Sequence, residues 1–190
     1  GKIKLEINPE LITLEGDAYF DKGYFSVPFA DLQKQSERTS AGSIHPAFYM
    51  NLNLNLGKKS EFRYPSTELP FLRALAYTEN EPFNLNLDTS TGKFEMSGSA
   101  KIRTGEIFYI KRNFYIKEGE LKILNSPFQQ IEPIISVRAE IKDKMADGQP
   151  LTINLTAKDQ HLDLERFRPV ITTSPPMAMS DSDTMNLMGQ

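Results

Sequence analysis

The sequence predicts a mainly β fold, a long run of antiparallel strands with few and short helices. Three observations carry this. Apolar residues recur at every second position along most of the 190 residues, a period that puts one set on each face of a pleated strand. Glycine, proline and Asn/Asp punctuate those blocks, where a helix would show apolar spacing of three and four. The alternation then runs on as one ladder, with little sign of the second sheet or the corner crossings that a sandwich needs.

The stretch from Ser97 to Leu124 shows the pattern most clearly. Ala100 and Ile102, Ile107 and Tyr109, Phe114 and Ile116, Leu121 and Ile123 form the apolar pairs. Lys101, Arg103, Glu106, Lys117, Glu120 and Lys122 stand between them. Gly98, Gly105 and Gly119 mark bends, bulges or close backbone approaches. Lys111-Arg112-Asn113 reads as a hairpin tip.

In chain order, Ile3, Leu5 and Ile7 predict a half-buried strand that Asn8-Pro9 ends, followed by Ile12 and Leu14. Gly16-Asp-Ala-Tyr-Phe20-Asp-Lys-Gly23-Tyr-Phe25 matches Gly98-Ser-Ala-Lys-Ile102-Arg-Thr-Gly105-Glu-Ile107 as Gly-x-Ala-x-apolar-x-x-Gly-x-apolar. This reads as a worn internal repeat, the alternative being two strand-turn-strand units that share turn chemistry. The polar run from Asp31 to Ser43 is a short exposed helix or a loop. Leu52, Leu54 and Leu56 alternate with asparagines, and Phe62 and Tyr64 continue the period to Pro65. Ser66-Thr67-Glu68, then Phe71, Leu72, Leu75 and Ala76, predicts a capped helix near 67–77. Phe83, Leu85 and Leu87 predict a strand, and Phe94 and Met96 lead into the next. Beyond Asn125-Ser126-Pro127, Ile135, Val137, Ala139 and Ile141 face one way, and Asp147-Gly148 signals a hairpin to Leu151, Ile153, Leu155 and Ala157. Leu162 and Leu164 give one more strand, and Pro169 with Ser174-Pro175-Pro176 ends the sheet. Ser180 to Asp183 opens a helix over 181–188.

Composition excludes several functions. A net charge of −3 and a pI near 5.5 give no basic field for nucleic acid. There is no cysteine and there are two histidines, so thiol catalysis and disulfide frameworks are out. No apolar run approaches the roughly 18 residues that span a bilayer. The chain opens Gly-Lys and is expected to be part of something longer. His161-x-Asp163-x-Glu165 has the look of a metal site, but Leu162 and Leu164 between them make it the solvated face of a strand. Gly57-Lys58-Lys59-Ser60 lacks the upstream glycine of a phosphate loop. Asn154-Leu-Thr156 fits a glycosylation sequon in mid-strand, and Lys111-Arg112 fits a solvated tip better than a headgroup site. No catalytic group, metal ligand set or cofactor is expected.

A family resemblance enters with the second half of the chain. Gly98-x-Ala-x-Ile-x-x-Gly105-x-Ile-x-Tyr109, Phe114-x-Ile-x-x-Gly119-x-Leu, Pro133-x-Ile135-x-Val137-x-Ala139 and Leu151-x-Ile153-x-Leu155 follow one another in order. Ser174-Pro-Pro176, Ser180, Asp183 and Leu187-Met-Gly189-Gln190 close the set. Together they resemble the C-terminal domain of the TamB family, within the AsmA-like envelope proteins. Met179 and Met188 stand where that family more often has leucine.

The resemblance implies a single curled sheet forming an open, taco-like trough with an apolar concave face. It makes 1–190 one β-rich domain, with 1–97 a preceding β-repeat region and 98–190 the TamB-like region. It also implies a periplasmic protein anchored in the inner membrane, a role in protein translocation and outer-membrane biogenesis, and two partners: phospholipid and an outer-membrane β-barrel insertase. The expected lipid-groove residues are Leu52, Leu54, Leu85, Ile102, Ile107, Phe114, Ile116, Leu121, Ile135, Val137, Ile153 and Leu155. Three functions stay open at this point: a non-catalytic groove carrying acyl chains between membranes, a scaffold or chaperone for outer-membrane β-barrel proteins, and a passive structural domain. A charge at position 137 is expected to stop conduction without unfolding the sheet.

Overall fold

The computed structural model describes residues 1–26, 46–65, 70–125, 131–145, 147–162 and 165–176. Ten strands make one sheet: β1 (Ile3–Ile7), β2 (Leu11–Ser26), β3 (Ala47–Tyr64), β4 (Leu72–Tyr77), β5 (Phe83–Asp88), β6 (Lys93–Tyr109), β7 (Arg112–Asn125), β8 (Ile131–Lys144), β9 (Pro150–His161) and β10 (Val170–Ser174). Their order is β1-β2-β3-β4-β6-β7-β8-β9-β10, with β5 beside β4 in the gap between β3 and β6. Every pairing is antiparallel except β2 with β3, which run parallel from Leu11↔Ala47 to Ser26↔Arg63. No helix occurs among the described residues, and the sheet curls as the resemblance implied.

Curling follows from bulges, each of which bends its strand and adds twist. The register slips at Phe20/Lys22, Leu75/Ala76, Ile116/Glu118 and Ile135/Val137. On β9 the extra residue is Asp159, at φ 47°. The Ser136 hydroxyl holds it, accepting from the Asp159 amide at 2.9 Å and donating to the carboxylate at 3.1 Å. The same slips explain a feature of the sequence. Ile102 and Ile107 are an odd number apart, yet both face inward because β6 changes phase between them.

The curl brings the two flanks of the C-terminal half into contact. Phe62 of β3 and Leu72 of β4 belong to the same core as Ile153 and Leu155 of β9. Phe167, from the segment after β9, meets Phe71 edge-on at 5.2 Å and Tyr109 at 5.8 Å. Burying side chains of this size is worth about 1.5–3 kcal/mol each. Outside, charges pair across neighbouring strands, Lys101–Glu120, Lys117–Glu140 and Arg138–Glu118 among them. Such exposed pairs add little stability and keep the outer face wet.

Four expectations change. Residues 72–77 are a strand, not the second half of a helix: Leu72, Ala74 and Ala76 are buried and Arg73 is exposed, a period of two. The spacing of Phe71, Leu72, Leu75 and Ala76 fitted either structure, and pairing with β3 and β6 on both flanks overrides the helix preference of Leu, Ala and Arg. β1 is exposed throughout rather than half-buried. The β6–β7 turn sits one residue earlier than expected, on Ile110 and Lys111 at φ 43° and 65°, with Tyr109 facing Arg112. The sheet continues past Pro169 into β10. The expected helix at 181–188, the Asp31–Ser43 segment, Ser66 to Leu69, and Asp163 and Leu164 lie outside the described residues.

Candidate functional site

The register makes one continuous inner face. Leu5 faces Leu14, Leu14 faces Met50, Met50 faces Leu87 and Leu87 faces Phe94. One step along, Leu52 faces Leu85, and Leu85 faces Met96. Facing residues of paired strands share a side of the sheet, so this apolar row crosses β1, β2, β3, β5 and β6 unbroken. The row then joins the C-terminal half through Ala100↔Leu121 and Leu121↔Ile135. All twelve expected groove residues sit on this inner side.

Burial divides them. Ile102, Ile107, Phe114, Ile116, Leu121, Ile135, Val137, Ile153 and Leu155 are all at most 5 % exposed and form the packed interior of the curled half. Leu52, Leu54 and Leu85 are only partly covered, as are Ile12, Leu14, Met50, Leu87 and Phe94 beside them. At the β1 edge Ile3, Leu5 and Ile7 are 57 %, 57 % and 69 % exposed. The trough is thus open over its N-terminal strands and filled by its own side chains over its C-terminal strands. Ile12, Leu14, Met50, Leu87 and Phe94 share this face and were not among the twelve expected positions, although the alternation that flagged Leu52 runs equally through them.

The opposite face of the open half is an amide layer. The Asn84 side chain donates to the Asn51 and Asn53 oxygens at 3.3 Å each, and Asn53 donates to Asp17 at 3.0 Å. Polar outside and apolar inside, these strands present one greasy side.

Nearby charges serve the fold. Glu61 accepts from Arg63 at 2.6 Å and from Arg73 at 2.9 Å, tying β3 to β4. Burial raises its carboxyl pKa, but the hydrogen bonds and charges of Arg73 and Arg63 outweigh that and hold it below the usual value. Arg63 also lies over the Tyr24 ring, 4.4 Å from its centre. An open depression of about 590 Å³ lies where the bulges line up, lined by Lys101, Glu118, Glu120, Arg138 and Lys158 around Gly119. Its charges are largely matched, Arg138 with Glu118 and Lys101 with Glu120. Among the described residues no group of three His, Asp or Glu side chains could hold a metal.

A curled sheet with one apolar, partly open inner face is what the TamB resemblance implied, and the family comparison agrees. The model of the TamB C-terminal domain matches residues 1–188. The chain belongs to the TamB family. The match takes in residues 1–97 as well as the half that carried the sequence motifs. A search of curated proteins gives no significant match. TamB proteins span the periplasm from an inner-membrane anchor, associate with an outer-membrane insertase partner, and are not known as catalysts. Family membership places this domain in outer-membrane assembly or lipid transport. Among its described residues no helix is long and apolar enough to cross a membrane.

Proposed function

We propose that this TamB domain carries phospholipid acyl chains along the open half of its inner face, as one non-catalytic segment of a path between the inner and outer membranes. The observation behind this reading is the row Leu5–Leu14–Met50–Leu87–Phe94, apolar across five strands and still reachable from solvent. Strands about 4.8 Å apart give that row a length of roughly 19 Å, enough to lie along much of an acyl chain. Covering a dozen methylenes there is worth about 10 kcal/mol against water. Against the bilayer the same transfer is nearly neutral, so lipid passes rather than being trapped. Phospholipid is the cargo in this reading, and the outer-membrane insertase is the neighbour at the far end.

Photo-crosslinking in the full-length protein tests it. A benzophenone side chain at Leu52 should give lipid adducts, and one at Asn53, on the opposite face, should not. Equal labelling at the two positions, or none at either, removes the groove.

The outer edge of β1 favours a second reading, a scaffold for outer-membrane β-barrel proteins. β1 pairs with β2 on one side and with no described strand on the other, and all five of its residues are exposed; exposed edges recruit extended segments. A probe at Lys4 that captures unfolded barrel protein while Leu52 captures no lipid would put this reading first.

A further inference from the structure

The internal repeat survives in the backbone. Gly16 and Gly98 take φ 138° and 143°, and each has the start of a short antiparallel strand pressed against it. A Cβ on Gly16 would run into the Lys2 carbonyl oxygen, and one on Gly98 would lie 2.8 Å from Phe83 Cα. β1 therefore stands to β2 as β5 stands to β6. Leu5 faces Leu14 as Leu85 faces Met96, and Ile7 faces Ile12 as Leu87 faces Phe94.

On β6 the pairing does not stop at the glycine. β4, which precedes β5 in the chain, takes over and pairs with Lys101 to Ile107. The matching stretch of β2, Tyr19 to Phe25, pairs with β3 on one side and with no described strand on the other. At Gly105 a Cβ would strike β4 at the Arg73 carbonyl oxygen; at the matching Gly23 the nearest atom is the chain's own Phe20 ring at 2.8 Å. Tyr19 and Tyr24 beside the gap are 63 % and 60 % exposed. The direction of the chain points the same way. The Asp17 amide still donates to the Lys2 carbonyl at 2.9 Å, so the ladder is intact at its upper end. Polypeptide ahead of β1 is aimed along Ala18 to Phe25, as β4 runs on into β5.

We propose that this notch is the seat of one antiparallel strand of the β4 kind, supplied by the polypeptide that precedes β1 in the longer protein whose C-terminal domain this is. The strand would have apolar residues facing inward, with a small one opposite Gly23 as Ala74 is opposite Gly105. Seated, it extends the apolar face beyond Ala18 and Phe20. The proposal is independent of what the trough carries, since it rests on backbone pairing alone.

Hydrogen exchange on the 190-residue chain and on the full-length protein tests it. In the full-length protein, outward amides between Tyr19 and Phe25 should exchange roughly tenfold or more slowly than in the chain alone, the effect of a closed ladder. A second protein carries a copy of Phe71–Pro82 fused directly ahead of Ile3, in place of Gly1 and Lys2, so that Pro82 takes the place of Lys2. It should reproduce that protection, and a version with proline at the copied Ala74 and Ala76 positions should lose it. Equal exchange in the chain and the full-length protein overturns the proposal. So does a graft that protects no better than its proline version. Protection that comes only from the free Phe71–Tyr77 peptide, and not from the fusion, makes the seat one for strands of other chains and overturns it as well.

Discussion

Leu52 and Ile153 face the same side of one sheet, yet Ile153 has no accessible surface while Leu52 is only partly covered. The two aspartate variants should therefore fail differently. Ile153→Asp puts a charge into a packed interior and should cost several kcal/mol, enough to unfold a domain of ordinary stability. Leu52→Asp lies where water already reaches and should cost about 1 kcal/mol, leaving the circular dichroism of the sheet intact while lipid adducts at the neighbouring Leu85 disappear. Val137 belongs with Ile153. At 4 % exposure its aspartate variant should melt the curled half, which reverses the expectation that the fold would survive it. A folded, lipid-free Val137→Asp protein would contradict that assignment.

The bond between Glu61 and its two arginines makes stability depend on pH. The Glu61 carboxyl is held below its ordinary value near 4.5, so its contribution is complete above that value and is lost as pH falls through the lower folded one. Glu61→Gln should cost about 1 kcal/mol at neutral pH. Melting curves of the variant and the parent should converge toward acid. A gap that stays constant across the titration would mean that packing, not charge, is what the substitution removes.

Two glycines with positive φ separate space from backbone strain. Gly148 has φ 84° and no atom within 4 Å of where a Cβ would sit. Gly148→Ala should cost only the left-handed penalty, about 1 kcal/mol. Gly98 has φ 143° and the Phe83 backbone and ring inside 3.0 Å. Gly98→Ala should cost about 3 kcal/mol or more, because β5 must move away. Denaturant midpoints rank the two, and equal losses would refute the contact with Phe83.

What the sequence revealed was set by what alternation encodes. Period two located β5 to β9 and placed every expected groove residue on one face, because a pleat fixes which side a residue takes. It could not say whether that face is open. Leu52 and Ile153 sit in the same kind of pattern, and only the curl that brings β9 toward β3 and β4 buries one and not the other. Leu72 to Tyr77 misled because Leu, Ala and Arg favour helix and the strand is made by its two neighbours. β10 hid behind Pro169, although a proline just ahead of an edge strand costs no ladder bond. The parallel joint of β2 and β3 depends on how the chain crosses between them, which local spacing does not record.

The closed end of the trough rests on a contact between distant parts of the chain, and that contact can be measured. Phe71 precedes β4 and Phe167 follows β9, and their rings meet edge-on at 5.2 Å with both almost fully buried. Each phenylalanine-to-alanine change should cost about 3–5 kcal/mol through lost burial and the cavity left behind. If the pair is what joins the flanks, the double variant should lose less than the two single losses added. The shortfall expected for such an aromatic pair is about 0.5–1.5 kcal/mol. Phe71→Leu and Phe167→Leu provide a milder cycle should the alanine variants fail to fold. Strict additivity in both cycles would mean that the two rings fill separate spaces. The flanks of the curled half would then be joined by the rest of their shared core, Phe62 and Leu72 against Ile153 and Leu155, and not by this pair.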